Sequence, residues 1–147
     1  MKKLSSVFYM WVGLASGLIA VLMMFVPVAC YSGTTLSASQ MFWGNGYNGG
    51  AWPAFVGYML ILVGAIMMGV IALPFMEPSI RAEKIVLISA GALILIGTIL
   101  VGLITVEYAA NNGIYQYLDY LAAGFYLSLF FSLVSLACDV VALVLDW

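Results

Sequence analysis

Four long apolar runs dominate the sequence and restrict the fold more than any other feature. They cover residues 7–29, 54–73, 84–106 and 120–145. About 20 apolar residues in an α-helix span the hydrocarbon core of a bilayer, so each run is long enough to cross it. The chain is 66% hydrophobic and 7% charged, whereas soluble domains carry about 25% charged residues. The sequence therefore predicts an all-α integral membrane protein, a single four-transmembrane-helix bundle over 1–147.

The positions of the four cations predict the orientation of this bundle. Lys2 and Lys3 precede the first helix, and Arg81 and Lys84 lie at the connection between the second and third helices. The two other loops contain no Lys or Arg. Because cytoplasmic loops carry an excess of cations, we expect both termini to lie in the cytoplasm. The expected location is a plasma membrane of the prokaryotic inner-membrane type, with the lipid bilayer as an obligatory partner.

The first outer loop, residues 30–53, is the longest stretch that a membrane could not hold. It has no charged residue and contains Asn-Gly pairs that are typical of turns. A short strand or β-hairpin fits residues 34–43. The second outer loop, 107–119, is shorter.

The aromatic side chains of the first loop are candidate partner-binding residues, because Trp and Tyr are enriched at interface hot spots. The alternative is an aromatic belt that lies in the lipid headgroup layer. The candidates are Phe42, Trp43, Tyr47 and Trp52.

Small residues recur at helical spacing in the first three helices. Inside a bilayer, helices associate by close packing of such residues, since lipid is as apolar as leucine. This pattern predicts a tightly packed bundle. The candidate helix-packing residues are Gly13, Gly17, Gly57, Gly64, Gly91 and Gly102.

The fourth helix carries a polar stripe made of Ser128, Ser132, Ser135 and Asp139, which fall on one helical face. Two interpretations remain open for Asp139. It can reach cytoplasmic water or contact a cation at the inner end of the helices. Alternatively, the stripe is a polar track for ions, protons or a partner helix, because acids within membrane helices are costly and commonly functional.

The chain lacks the residues that several kinds of catalysis and metal binding need. The chain has no His, which is the commonest general base and metal ligand. Cys30 and Cys138 are expected at opposite ends of the bundle, so we predict two free thiols rather than a disulfide. We expect no metal, no cofactor and no enzymatic activity. Four Lys or Arg residues are too few for a nucleic-acid partner.

The layout resembles that of the claudin-type tetraspans: four helices, both ends inside and a longer first outer loop with Trp and Gly. The resemblance covers the whole chain coarsely and implies side-by-side assembly and partner contacts through the first loop. The chain departs from that family in two respects. Phe42, Trp43 and Gly44 match only a fragment of its Trp–Gly–Leu–Trp cluster, and its paired loop cysteines are not matched.

Together these features predict a non-catalytic membrane protein that acts by association, either with itself as a homo-oligomer or with another membrane protein. The glycine faces and the aromatic outer loop are the expected contact surfaces. The alternative is a small transporter or channel subunit that uses the polar stripe of the fourth helix.

Overall fold

The structure, a computed structural model, describes residues 4–31, 34–42, 51–75, 77–104, 120–121 and 123–145. Within these ranges the chain forms five α-helices and three short β-strands. In chain order they are α1 (Leu4–Leu22), β1 (Pro27–Tyr31), β2 (Thr34–Ser37), α2 (Ala38–Met41), α3 (Trp52–Ala72), α4 (Ile80–Gly102), β3 (Tyr120–Leu121) and α5 (Ala123–Leu145). A single 3₁₀ turn, Met23–Phe25, extends α1.

Four of these helices are long and apolar enough to cross a membrane, which confirms this part of the predicted fold class. They are α3, α4, α5 and α1 together with its 3₁₀ turn. Their outward faces carry large apolar side chains, for example Phe8, Ile99 and Phe130, which are 61%, 56% and 59% exposed. Apolar surface of this extent is a liability in water but is covered in lipid. By length and composition, these are the helices expected of a membrane protein.

The first membrane helix ends well before the predicted limit of 7–29. Its helical path stops at the 3₁₀ turn, and Val26 is already extended, with φ −91° and ψ 145°. Pro27 is the cause, because proline disfavours a helical conformation at the preceding residue and cannot donate a backbone hydrogen bond. The residues from Pro27 onward form strand β1 instead.

The second and third membrane helices begin earlier than the predicted ranges 54–73 and 84–106. Pro53 lies in the first turn of α3, where a missing N–H removes no helical hydrogen bond. The start of α4 is capped by Ser79, whose hydroxyl oxygen accepts a hydrogen bond from the Ala82 backbone N–H at 3.2 Å. The proline signal extends the start of α3 by about half a turn and the cap extends the start of α4 by about one turn.

The fourth membrane helix begins later than the predicted range 120–145. Tyr120 and Leu121 form strand β3, and α5 starts at Ala123. The predicted second outer loop, 107–119, lies outside the described residues.

The three strands form an antiparallel sheet in the order β2-β1-β3 at one end of the bundle. Cys30 of β1 pairs with Thr35 of β2 on one side and with Tyr120 of β3 on the other. A hairpin of β1 and β2 exists, but it does not lie within the predicted range 34–43, because only β2 falls there. Its first strand, β1, begins in a segment that was expected to be helical, and β2 stops at Ser37, where α2 follows.

The four membrane helices form a ring in which α1 and α4 lie diagonally opposite. Each of these two packs against both α3 and α5. One buried apolar cluster lies toward the sheet and includes Tyr58 and Ile61. A second cluster lies toward the far end of the bundle and includes Met10, Met68 and Leu87. This ring directs the polar face of α5 into the interior.

Candidate functional site

The polar stripe of α5 lies on its buried face. Ser128, Ser132 and Ser135 are 0% exposed and Asp139 is 2% exposed. Tyr58 of α3, also 0% exposed, meets the stripe near its sheet end. We call these five residues the polar seam. The ring of helices thus brings together all four residues that the sequence assigned to the stripe.

Two residues of the polar seam connect α3 to α5. The Ser128 hydroxyl donates to the Gly124 carbonyl oxygen at 2.7 Å, and its oxygen lies 2.8 Å from the Tyr58 hydroxyl oxygen. Because a serine hydroxyl has one proton to donate, the Tyr58 hydroxyl is the donor in the second bond. Tyr58 was not among the candidates from the sequence, since a single tyrosine in an apolar run carries no pattern of its own.

Serine hydroxyls also connect α1 to α5. The Ser135 hydroxyl donates to the Gly13 carbonyl oxygen at 2.7 Å. Near the far end, the Ser6 hydroxyl donates to the Ala142 carbonyl oxygen at 3.4 Å. Ser132 instead bonds within its own helix, to the Leu129 carbonyl oxygen at 3.0 Å. Interhelical hydrogen bonds average about 0.6 kcal/mol in a membrane protein. The bonds of Ser135 and Ser6 therefore stabilise the contact between α1 and α5 by a small amount each.

Asp139 is the exception within the polar seam. Its Oδ1 atom is buried and has no hydrogen-bond partner among the described residues. Its Oδ2 atom faces Gly91 of α4, in the space that a side chain at residue 91 would fill. A charged residue costs about 2.5–3.5 kcal/mol at the centre of a membrane helix, and Asp139 lies between the centre and the end of α5.

The described residues contain no group of three or more His, Cys, Asp or Glu side chains that could hold a metal ion. One carboxylate with serine hydroxyls that are already engaged supplies few of the oxygen ligands that hard cations require.

The candidate packing glycines lie inside the bundle, between its own helices. A Cβ atom at Gly17 would lie 2.5 Å from the Ala65 Cβ, and one at Gly64 would lie 2.9 Å from the Ala90 carbonyl oxygen. At Gly13 it would meet the Met68 side chain at 2.8 Å.

Gly57 faces a glycine that the sequence stripes left out. A Cβ atom at Gly57 would lie 2.8 Å from the Gly97 carbonyl oxygen, and one at Gly97 would lie 2.5 Å from the Gly57 carbonyl oxygen. Gly102 differs, because its nearest neighbour would be the Leu129 side chain at an ordinary 3.6 Å. The packing stripe predicted for α4 runs through Gly91 and Gly102, and Gly97 lies off that stripe.

The aromatic candidates of the first loop occupy different environments. Phe42 is 3% exposed and packs edge-on against Phe55 and Tyr58, with ring centroids 5.5 and 5.7 Å apart. It therefore belongs to the bundle core rather than to an exposed patch. Trp52, at the start of α3, is 61% exposed. Trp43 and Tyr47 lie outside the described residues.

Comparisons of the chain with protein-family models, with curated proteins and with solved structures found no match.

Proposed function

We propose that this chain is a non-catalytic integral membrane protein that acts by association, either with copies of itself or with another membrane protein. The supporting observation is that the serine and tyrosine hydroxyls of the polar seam are hydrogen-bonded to one another and to neighbouring carbonyl groups. Two of these bonds connect α5 to α3 and α1, which leaves the surface of the bundle for contacts with a partner.

The proposed contact surface is the sheet end of the bundle rather than the glycine faces. Gly13, Gly17 and Gly57 are already in close contact with other helices of the same chain, so they offer no free face to a partner. Trp52 remains 61% exposed beside the sheet, and Trp is among the residues that most often dominate interface energies. In the sequence, Trp43 and Tyr47 belong to the same loop.

The double variant Trp43→Ala/Trp52→Ala is expected to weaken this association at least tenfold, because truncation of a hot-spot residue costs about 2 kcal/mol or more. The measurement is native mass spectrometry of the gently solubilised protein, across a concentration series, with the oligomer or co-purified partner quantified. Trp11→Ala is the matched control, since Trp11 is also exposed, at 42%, but lies on the outer face of α1.

Two outcomes would contradict the proposed association. One is a wild-type protein that is monomeric and free of any co-purified protein. The other is an equal loss of association in Trp11→Ala, which would assign the effect to exposed Trp residues in general.

We also propose that both termini face the cytoplasm of a prokaryotic plasma membrane. The support is that Arg81 and Lys84 lie in the first turns of α4, while Lys2 and Lys3 precede α1. In a ring of antiparallel helices, the starts of α1 and α4 lie at the same end. All four cations then share one side of the membrane, as cytoplasmic cations do.

This orientation predicts which introduced cysteines an impermeant thiol reagent can reach in intact cells. In a background without Cys30 and Cys138, Asn48→Cys is expected to be labelled at once. Ser79→Cys, whose native residue is exposed at the opposite end, is expected to react only after the membrane is opened. The reverse pattern would overturn the proposed orientation.

A small transporter or channel subunit is the second candidate function. The observation that favours it is the buried Oδ1 atom of Asp139, which has no partner in the described part of the chain. A buried polar atom without a partner calls for an explanation, and an acid within a membrane helix is a candidate functional residue. Flux through proteoliposomes that contain Asp139→Asn is the direct test.

A further inference from the structure

The side chain of Asp139 lies inside the bundle, at the contact between α5 and α4. It is 2% exposed, and its Oδ2 atom occupies the space that a side chain at residue 91 would need. Leu136 borders the same space, because a Cβ atom at Gly91 would lie 3.9 Å from the Leu136 Cδ1 atom. The carboxyl group is therefore packed against the backbone of α4, beside an apolar side chain of its own helix.

The contact at Asp139 differs from the contacts that α5 makes with α1 and α3. The Ser135 hydroxyl donates to the Gly13 carbonyl oxygen of α1. Ser128 shares a hydrogen bond with the Tyr58 hydroxyl of α3. At Asp139, by contrast, the Oδ1 atom is buried without a hydrogen-bond partner among the described residues. A carboxylate in this place loses its hydration and gains no hydrogen bond at Oδ1 in return, so its charged form is unfavourable.

Neither α1 nor α3 supplies a counter-charge to Asp139 within its helical range. Leu4–Leu22 and Trp52–Ala72 contain no Asp, Glu, Lys or Arg. Their ionisable side chains are Tyr9 and Tyr58. Strand β1 meets α5 near its start, at Gly124, and within α5 the ionisable residue beside Asp139 is Cys138. None of these side chains is a cation that offsets a charge on Asp139.

The ionisable residues of α4 lie some way along the helix from the contact. They are Arg81, Glu83 and Lys84. Gly91 lies in the middle of α4, about 10 to 15 Å from them along the axis at about 1.5 Å per residue. Glu83 and Lys84 each have an interaction of their own, and Arg81 is exposed. Lys2, Lys3 and Asp146 lie outside the described residues. The neutral carboxyl group is therefore the form of Asp139 that fits the contact.

We propose that the contact between Asp139 and Gly91 is a pH-sensitive contact that holds α4 against α5. It is closed while the carboxyl group is neutral. When the pH rises, the proton passes to water and the carboxylate requires hydration, so α4 separates from α5 far enough to admit water. A local change of charge thus biases an element with two arrangements. This property belongs to the fold and depends on neither of the two candidate functions.

The first test is the pH dependence of thermal stability, measured on the full chain in a mild detergent. The unfolded chain exposes Asp139 to water, where an aspartic acid releases its proton in the acidic range, whereas the closed contact needs the neutral form. The folding equilibrium constant of the wild type should therefore fall as the pH rises from about 5 to about 9, by up to about tenfold per pH unit for one proton. Asp139→Asn has no proton to release at this site and is expected to lose most of this dependence.

Two variants are the controls for this test. Ser132→Ala removes a buried hydroxyl group of the polar seam but no ionisable group, and it should keep the pH dependence of the wild type. Glu83→Gln removes the other buried acid of the described residues, and it should also keep most of that dependence. The pair separates the titration of Asp139 from loss of polar packing and from the titration of Glu83.

The second test measures the separation of α4 and α5 directly. Spin labels are attached to Ser89→Cys of α4 and Ala137→Cys of α5, whose native residues are exposed, in a background without Cys30 and Cys138. The distance between the labels, measured by electron spin resonance, should lengthen by several ångström between the lowest and the highest pH of the first test. A reference pair, Val63→Cys and Ser89→Cys, should keep its distance, because it reports the contact between α3 and α4, which does not include Asp139.

Three results would overturn the proposal. The first is the same pH dependence of stability in Asp139→Asn as in the wild type. The second is a loss of that dependence in Glu83→Gln alone, which would assign the effect to the other buried acid. The third is a distance between the α4 and α5 labels that is equal at both pH values. Because the distance measurement keeps Asp139 in its native form, it decides the proposal even where Asp139→Asn does not fold.

Discussion

Gly97→Ala lowers the melting temperature of the detergent-solubilised protein by roughly 5–10 °C, because it separates α3 from α4. A Cβ atom at residue 97 would lie 2.5 Å from the Gly57 carbonyl oxygen and 3.1 Å from the Ile61 backbone nitrogen. Both of these atoms belong to the main chain of α3, so no side-chain rotation can relieve the clash. Overpacking of this kind costs about 1–3 kcal/mol or more, which is a large share of the stability of a typical protein.

Gly102→Ala is the control for this effect in the same helix. Its added Cβ atom would meet only the Leu129 side chain, at 3.6 Å, and alanine has a higher helix propensity than glycine. Its melting temperature should therefore stay level or rise. If both substitutions destabilised the protein equally, close approach of α3 and α4 would not be the reason for glycine at residue 97.

Asp139→Asn reduces proton-dependent flux through proteoliposomes to the level of empty liposomes, if the second candidate function is correct. The carboxyl group is the part of the polar seam that can carry a proton, whereas the hydroxyls of Ser128 and Ser135 are engaged in hydrogen bonds. Asparagine has nearly the same size as aspartate, so the contact with Gly91 is preserved. The measurement is the decay of an imposed pH gradient, followed with a dye inside the liposomes.

Thermal stability of the same variant separates a loss of function from a loss of fold. Replacement of a buried acid by a neutral amide removes the cost of burying a charge, so Asp139→Asn should melt at the same temperature as the wild type or higher. Asp146→Asn, which changes an acid near the end of the chain, is the control and should leave flux unchanged. This function would be excluded if proteoliposomes with the wild-type protein retained proton, ion and small-solute gradients for as long as empty liposomes do.

The membrane character of the chain could be predicted from the sequence because it depends on local properties. A membrane core tolerates backbone only when its hydrogen bonds are satisfied internally, so long apolar runs become helices whatever their neighbours are. A strand near Thr34 was also predictable, because β-branched residues such as Thr favour strands, but its pairing with β1 was not. The predicted ends of the helices were less accurate. Pro27 ends α1 earlier than hydropathy indicates, and the capping residue Ser79 starts α4 earlier.

The polar stripe of α5 was visible in the sequence through its spacing, and so was its single acid. The residues that surround the stripe could not be predicted, because residue spacing identifies one face of a helix but not the helix that packs against that face. Only the ring order of α1, α3, α4 and α5 brings Tyr58 to Ser128, the Gly13 carbonyl group to Ser135, and Gly91 to Asp139.

The sequence by itself determined four helices long and apolar enough to cross a membrane, an uncharged first loop and a face of small or polar residues on each helix. These follow from hydrophobicity and periodicity, which act over a few turns of one helix. Three features were decided by the tertiary structure alone. Most of the candidate glycines pack against other helices of the same chain, Phe42 packs in the core, and Asp139 is buried against Gly91. Each of these depends on which helices are neighbours and how closely their backbones approach, and such contacts join residues far apart in the chain.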